Sequence, residues 1–219
     1  MTHTFTIYYS CLAFVFFFYT GCGVTQPVRT IEEGTTEIIS SFGGPVIPLD
    51  GLAIPTPYLN IGALYGFSND LTLFGNAHVT ALLFKDIGID GGAAMTLVKE
   101  TGWYPEVVLN GRLYFFWDFI RSNNKRIFPM ATLTASYATG SRSLFYFGID
   151  NVYQVHEPNV FVSPLLGYQF PMSAKMVSQI EIKWLASNKE TRHGVFEGVT
   201  SIAGRGGIGI FFGVQYSLK

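Results

Sequence analysis

The sequence predicts an all-β protein, an up-and-down antiparallel β-barrel that crosses a membrane with about ten strands, eight being the lower count. Three observations carry this. The last thirteen residues, Gly207 to Lys219, alternate strictly, with Ile208, Ile210, Phe212, Val214, Tyr216 and Leu218 on one face and mostly Gly or polar residues on the other. A half-buried strand of a soluble protein is usually about half that length, whereas a tilted strand crossing a bilayer requires it. Second, only 13% of the 219 residues are charged, against roughly 25% in ordinary soluble domains. Third, beyond residue 21 there is no run of about 20 apolar residues, so no second helical span is available. A chain this apolar either builds a large soluble core or faces lipid strand by strand. Only a closed barrel does the latter with every backbone N–H and C=O paired.

From the start of the chain, residues 1–21 hold no Lys, Arg, Asp or Glu, and Cys11–Tyr19 is an unbroken apolar run. Its length fits the h-region of a signal peptide rather than a spanning helix. The run ends in Tyr19-Thr20-Gly21-Cys22, which resembles a bacterial lipobox, where a small residue precedes a cysteine that becomes the lipidated first residue. The resemblance implies lipid attachment at Cys22. Tyr19 stands where that motif prefers an aliphatic residue, and an ordinary cleaved signal with an incidental Cys22 is the other reading. Cleavage before Cys22 removes Cys11 and leaves one cysteine, so no intrachain disulfide can form. The expected organisation is a signal peptide over 1–21, a polar periplasmic leader with the lipid anchor over 22–34, and the barrel over 35–219.

Ten runs read as strands: 35–42, 58–67, 71–84, 86–98, 103–117, 126–138, 143–153, 159–170, 175–187 and 206–218. An even number returns both ends of the barrel to one side of the membrane. The connections alternate in length. Ser68–Asp70, Lys99–Gly102, Thr139–Arg142 and Pro171–Ala174 are short; interleaved with them are Gly43–Pro57, a tight join near Lys85, Asp118–Lys125, Gln154–Pro158 and Asn188–Arg205, three of the five being long. Short periplasmic turns and longer outer loops are the usual barrel asymmetry. Parity agrees. Leu59, Ile61, Ala63, Tyr65 and Phe67 oppose Asn60, Gly62 and Gly66. Leu73, Ala77, Val79, Ala81 and Leu83 oppose Thr72, Asn76, His78 and Thr80. Ile180, Ile182, Trp184 and Ala186 oppose Gln179, Glu181 and Lys183. The apolar faces of four strands end in Tyr or Phe at one interface (Tyr65 and Phe67, Tyr137, Tyr168 and Phe170, Tyr216), as an aromatic girdle would, and Trp103 and Trp117 share parity at opposite ends of the fifth run. Pro164 breaks the pattern, since a closed barrel has no edge to hide a missing N–H, and a bulge is expected there.

The inward faces carry His78, Asp90, Glu106, Arg112, Asp150, Glu181 and Lys183, of which all but Glu106 form a candidate polar network in the lumen. Charges there persist only paired or wetted, so opposite-sign partners such as Asp90 and Arg112 on adjacent strands are expected. A polar plug is the plain reading of this set, and a proton or ion path the sharper one. Lys+Arg 14 against Asp+Glu 15 leaves no basic excess for nucleic acid. The outer loops offer Asp86, Asp118, His156, Glu157, Glu190, His193 and Glu197, but no Ser-centred elbow, HExxH, Walker loop or CxxC. His78, His156 and His193 lack metal-ligand spacing, so neither a metal nor a cofactor is expected.

Residues 35–219 resemble the small bacterial outer-membrane barrels of the OmpA/OmpX/OmpW type in strand pattern, girdles and C-terminal strand. The resemblance implies an envelope protein of a Gram-negative-type bacterium, in contact with outer-membrane lipid and with envelope proteins through its outer loops. It implies a non-enzymatic structural or interaction role. A narrow channel is the second reading, an outer-membrane enzyme acting on lipid or peptide the third, and a soluble lipocalin-like binder the one outside the membrane.

Overall fold

The computed structural model describes residue 25 and residues 27–49, 52–120, 124–155, 159–191 and 200–219. Its elements are β1 (Thr36–Leu49), β2 (Leu52–Pro55), β3 (Leu59–Ser68), β4 (Leu71–His78), the short helix α1 (Val79–Leu83), β5 (Asp86–Val98), β6 (Glu106–Asp118), β7 (Lys125–Gly140), β8 (Ser143–Gln154), β9 (Asn159–Pro171), β10 (Met176–Glu190) and β11 (Arg205–Ser217). Each barrel strand pairs with the next, and β1 pairs with β11 from Glu37↔Ser217 to Pro45↔Gly209, which closes the sheet. Ten of the eleven strands form the closed antiparallel wall; β2 pairs only with the far half of β1, from Val46↔Pro55 to Leu49↔Leu52. Closure leaves no open edge, so every wall strand has a neighbour on both sides.

Alternation decides which side each residue faces, and the wall is inverted relative to a soluble protein. Ile61, Tyr65, Phe67, Leu73, Ile89, Met95, Leu113, Ile182, Phe212 and Tyr216 are exposed, whereas Asp90, Arg112, Asp150, Glu181 and Lys183 are buried. An exposed apolar belt around a charged interior is the arrangement that lipid, not water, would stabilise. The Tyr and Phe residues expected at one rim lie at the end where β1 begins and β11 ends, and there the rings of Tyr168 and Phe170 stack with centroids 6.2 Å apart. Trp103 is not in a strand as expected. It sits in the turn before β6, bridged by Thr101 and Tyr104, and is 94% exposed.

Three further departures have local causes. The run 71–84 was expected as one strand, but β4 ends at His78 because its last pairing with β3 is Asn60↔His78. With no partner beyond, the backbone bonds to itself as α1, whose end is closed by Phe84 N–H to Ala81 O and Lys85 N–H to Leu82 O. Ala81, expected on the outer face with Val79 and Leu83, is instead buried against Tyr114, Phe116 and Met130. The stretch 43–57 was expected as a loop, yet β1 continues through it and folds back as β2. Gly43 permits this passage: its φ is +132°, and a Cβ there would lie 2.2 Å from Ile210 O. The bulge expected at Pro164 lies on the neighbouring strand. The β9–β10 pairing ends at Lys183↔Leu165, and β10 then turns through Ala186 at φ 48°, carrying Ala186 inward from its expected outer face. There Ser163 Oγ accepts from Ala186 N–H at 3.0 Å and Asn188 Oδ1 from Val162 N–H at 3.0 Å, so side chains replace the ladder that Pro164 cannot complete.

Candidate functional site

Inward parity on three consecutive strands brings His78 (β4), Asp90 (β5) and Arg112 (β6) to one wall of the lumen. His78 Nε2 lies 2.8 Å from Asp90 Oδ2, and its Nδ1 lies 2.8 Å from the Tyr58 hydroxyl. Asn76 Nδ2 donates to Asp90 Oδ1 at 2.8 Å, and Arg112 Nε stands 3.6 Å from the same oxygen. The guanidinium also lies over the Phe74 ring, 4.8 Å from its centroid, and donates to the Tyr114 hydroxyl at 3.3 Å. One carboxylate therefore gathers an imidazole, an amide and a guanidinium, all buried.

Strands β7, β8 and β10 build a second group. Lys183 Nζ lies 2.6 Å from Asp150 Oδ2 and 3.0 Å from Glu181 Oε1. Thr132 Oγ1 donates to Asp150 Oδ1 at 2.7 Å, and the Tyr146 hydroxyl donates to Glu181 Oε2 at 3.1 Å. Gln179 Nε2 donates to that hydroxyl at 3.3 Å, and Lys183 Nζ lies 5.4 Å from the centre of the Phe211 ring. Tyr146 has room because its neighbour is Gly167, where a Cβ would come within 2.2 Å of the ring. Among the largest fully buried side chains of the described residues are Tyr146, Lys183, Phe211, His78 and Glu181, all facing inward, so side chains rather than open space occupy this level of the lumen.

All six expected lumen residues thus point inward, and the structure places them in two groups: His78, Asp90 and Arg112 on one wall, Asp150, Glu181 and Lys183 on another. The expected Asp90–Arg112 pairing is present at 3.6 Å. Asn76 and Tyr146, both on inward faces by parity, complete the networks together with Tyr58 and Thr132, which the sequence reading did not single out; inward parity beside a charge was the available signal.

The described residues of the leader sit inside the barrel mouth, at the end where β1 begins and β11 ends. Val28 is buried against Leu144, Tyr146 and Leu165. Arg29 meets Glu100 at 2.5 Å and Glu106 at 3.4 Å, and its Nε donates to Ser136 Oγ at 2.9 Å. The guanidinium bonded to Glu100, together with the Ala138 N–H, holds this carboxyl below its usual range. A carboxyl depressed on folding contributes stability above its unfolded value and loses it as pH falls through the folded one, so this tie persists at neutral pH and loosens only in acid.

Of the residues expected in the outer loops, three lie at strand ends: Asp86 opens β5, 3.5 Å from Arg126; Asp118 closes β6 and accepts the Ile120 N–H at 3.2 Å; Glu190 closes β10, paired with Arg205. Cys22, His156, Glu157, His193 and Glu197 lie outside the described residues. Among the described residues no group of three or more His, Cys, Asp or Glu could hold a metal ion.

The wall and its interior define the class: a closed ten-stranded antiparallel β-barrel with a polar lumen. No protein-family model matches the chain, and no curated protein sequence matches it. Among solved structures it is similar to an outer membrane channel from Pseudomonas putida F1 at 11% identity, covering 90% of this chain and 100% of that one, with a TM-score of 0.48. It is also similar to the outer membrane protein OprG from Pseudomonas aeruginosa, at 9% identity over 87% and 99% of the two chains, with a TM-score of 0.33. The attachment invasion locus protein Ail of Yersinia pestis is a third, at 11% identity over 85% and 99%, with a TM-score of 0.29.

Proposed function

We propose that the chain is a bacterial outer-membrane barrel with a non-enzymatic structural or interaction role in the cell envelope, and that its lumen is sealed. One observation carries this reading: the inversion of polarity across the wall, apolar and exposed outside, charged and buried inside. Lipid fits the outer belt, because placing it in water would leave a continuous apolar surface far beyond what soluble monomers tolerate. The short turns, the start of β1 and the end of β11 then face the periplasm, and the longer loops face outward, where envelope proteins are the partners proposed. Lipid attachment at Cys22 would add a second tether to the same membrane.

One feature favours a structural role over catalysis. Tyr58, His78 and Asp90 lie in the order of a catalytic relay, 2.8 Å apart at each step, but all three side chains are buried in the wall.

Fractionation tests the reading. The mature protein is expected in the outer membrane, released only by detergent, and faster in gel migration before boiling than after. Recovery from the soluble periplasm without detergent would overturn it.

A further inference from the structure

The leader has the features of a bound peptide rather than of a wall strand. The wall closes without it, since β1 pairs with β11 on one side and with β3 on the other. Its hold on the barrel runs largely through side chains. Thr72 Oγ1 accepts the Ile31 N–H at 2.9 Å, Asn69 Oδ1 accepts the Glu33 N–H at 3.3 Å, and Asn110 Nδ2 donates to Pro27 O at 3.4 Å. Thr30 and Thr96 share a hydroxyl contact of 2.9 Å.

Two adjacent side chains make the specific contacts. Val28, only 1% exposed, fills the pocket of Leu144, Tyr146 and Leu165. Arg29 places its fork on Glu100 from the turn after β5, Glu106 from the start of β6 and Ser136 from β7. The wall is also shaped to the path. A Cβ at Gly66 would lie 2.1 Å from Glu32 O, and one at Gly213 would lie 2.7 Å from Thr25 Oγ1. Gly34, at φ +71°, turns this segment into β1, its N–H bonded to Gly66 O at 2.8 Å and the turn closed by Thr35 N–H to Glu32 O at 3.1 Å.

We propose that this mouth of the barrel is a binding site for an extended peptide bearing an apolar residue followed by arginine, that the chain's own Val28 and Arg29 fill it in cis, and that the segment before the Glu32–Thr35 turn withdraws as a stopper. The mouth being periplasmic rests on the outer-membrane reading above, whereas the seating does not. Removing the leader exposes Glu100, Glu106 and the apolar pocket together, which is the surface that would take a second peptide of the same kind. The two acidic side chains set the preference for arginine, because a planar guanidinium meets several acceptors at once.

The test uses the full chain in detergent, with Cys11→Ser and Cys22→Ser, and Val28→Cys as the reporter. A maleimide measures how often position 28 leaves the lumen, and unboiled gel migration checks that each variant is folded. Position 28 is expected to be protected, and Glu100→Gln with Glu106→Gln is expected to raise its labelling rate about tenfold. A synthetic peptide matching Thr25–Gly34 is expected to raise the rate by competition, while the same peptide with alanine for arginine leaves it unchanged. A lock made by Thr30→Cys with Thr96→Cys, read with position 28 and the maleimide added after oxidation, is expected to abolish the peptide's effect. Labelling as fast as in unfolded protein, or a rate that neither the carboxylate variants nor the peptide change, would overturn the proposal. Because the readout is taken in detergent, it can fail while the outer-membrane assignment stands, and the converse.

Discussion

Replacing Lys183 with methionine is expected to destabilise the folded barrel by about 3–5 kcal/mol, because it leaves buried carboxylates without their cation. Lys183 Nζ lies 2.6 Å from Asp150 and 3.0 Å from Glu181, and its side chain is fully buried. Methionine nearly preserves the length of the stem, so little of the loss would come from a cavity. Thr132 and Tyr146 still donate to the two carboxylates, yet neither supplies a charge. The check is equilibrium unfolding by urea in detergent micelles. Adding Asp150→Asn and Glu181→Gln to Lys183→Met is expected to recover much of the loss, since the stranded charges then disappear with their partner. An unchanged midpoint for the single variant would mean that Lys183 does not hold this group together.

Asp90→Ala is expected to cost a similar amount, about 3–5 kcal/mol, through a different failure. Asp90 is the acceptor on which His78, Asn76 and Arg112 converge, at 2.8, 2.8 and 3.6 Å. Removing it leaves two buried donors and a buried guanidinium unanswered. Arg112→Ala should cost less than Asp90→Ala, because its contact with the carboxylate is the longest of the three, and Asp90 keeps His78 and Asn76. Asp90→Asn is expected to fall between wild type and Asp90→Ala, since the amide retains an acceptor for one neighbour. The same urea series reads all three, and an Asp90→Ala midpoint equal to wild type would dismiss the convergence as energetically idle.

Much of the wall was legible in the sequence, for a simple reason. A strand that faces lipid on one side and a narrow polar lumen on the other writes its direction into every second residue, so Ile208 to Leu218 and Leu59 to Phe67 announce their faces. The same parity found the six lumen residues and placed Asp90 within reach of Arg112. Parity cannot report where pairing stops. The run after His78 alternates as well as the run before it, and it becomes α1 only because β3 begins at Leu59 and offers no further partner. The inward turn of Ala186 and the continuation of β1 past Gly43 are likewise set by neighbouring strands. The leader was hardest to read. Gly23 to Gly34 is polar, as a free segment would be, and its place in the lumen depends on Val28 and Arg29 meeting Leu144, Glu100 and Ser136, residues separated by about one to three strands in the wall and by long stretches of chain. Nothing in a local pattern carries that information.

The most direct test of a sealed lumen is planar-bilayer current through the purified, refolded barrel at neutral pH. Tyr146, Phe211, Lys183 and His78 are fully buried within the wall, and Val28 of the leader packs against Tyr146. A barrel of about ten strands is close to the size at which side chains fill the interior, well below the sixteen to eighteen strands of open porins. Insertion without steady conductance is the predicted result. Large, stable single-channel steps from the wild-type protein would contradict it.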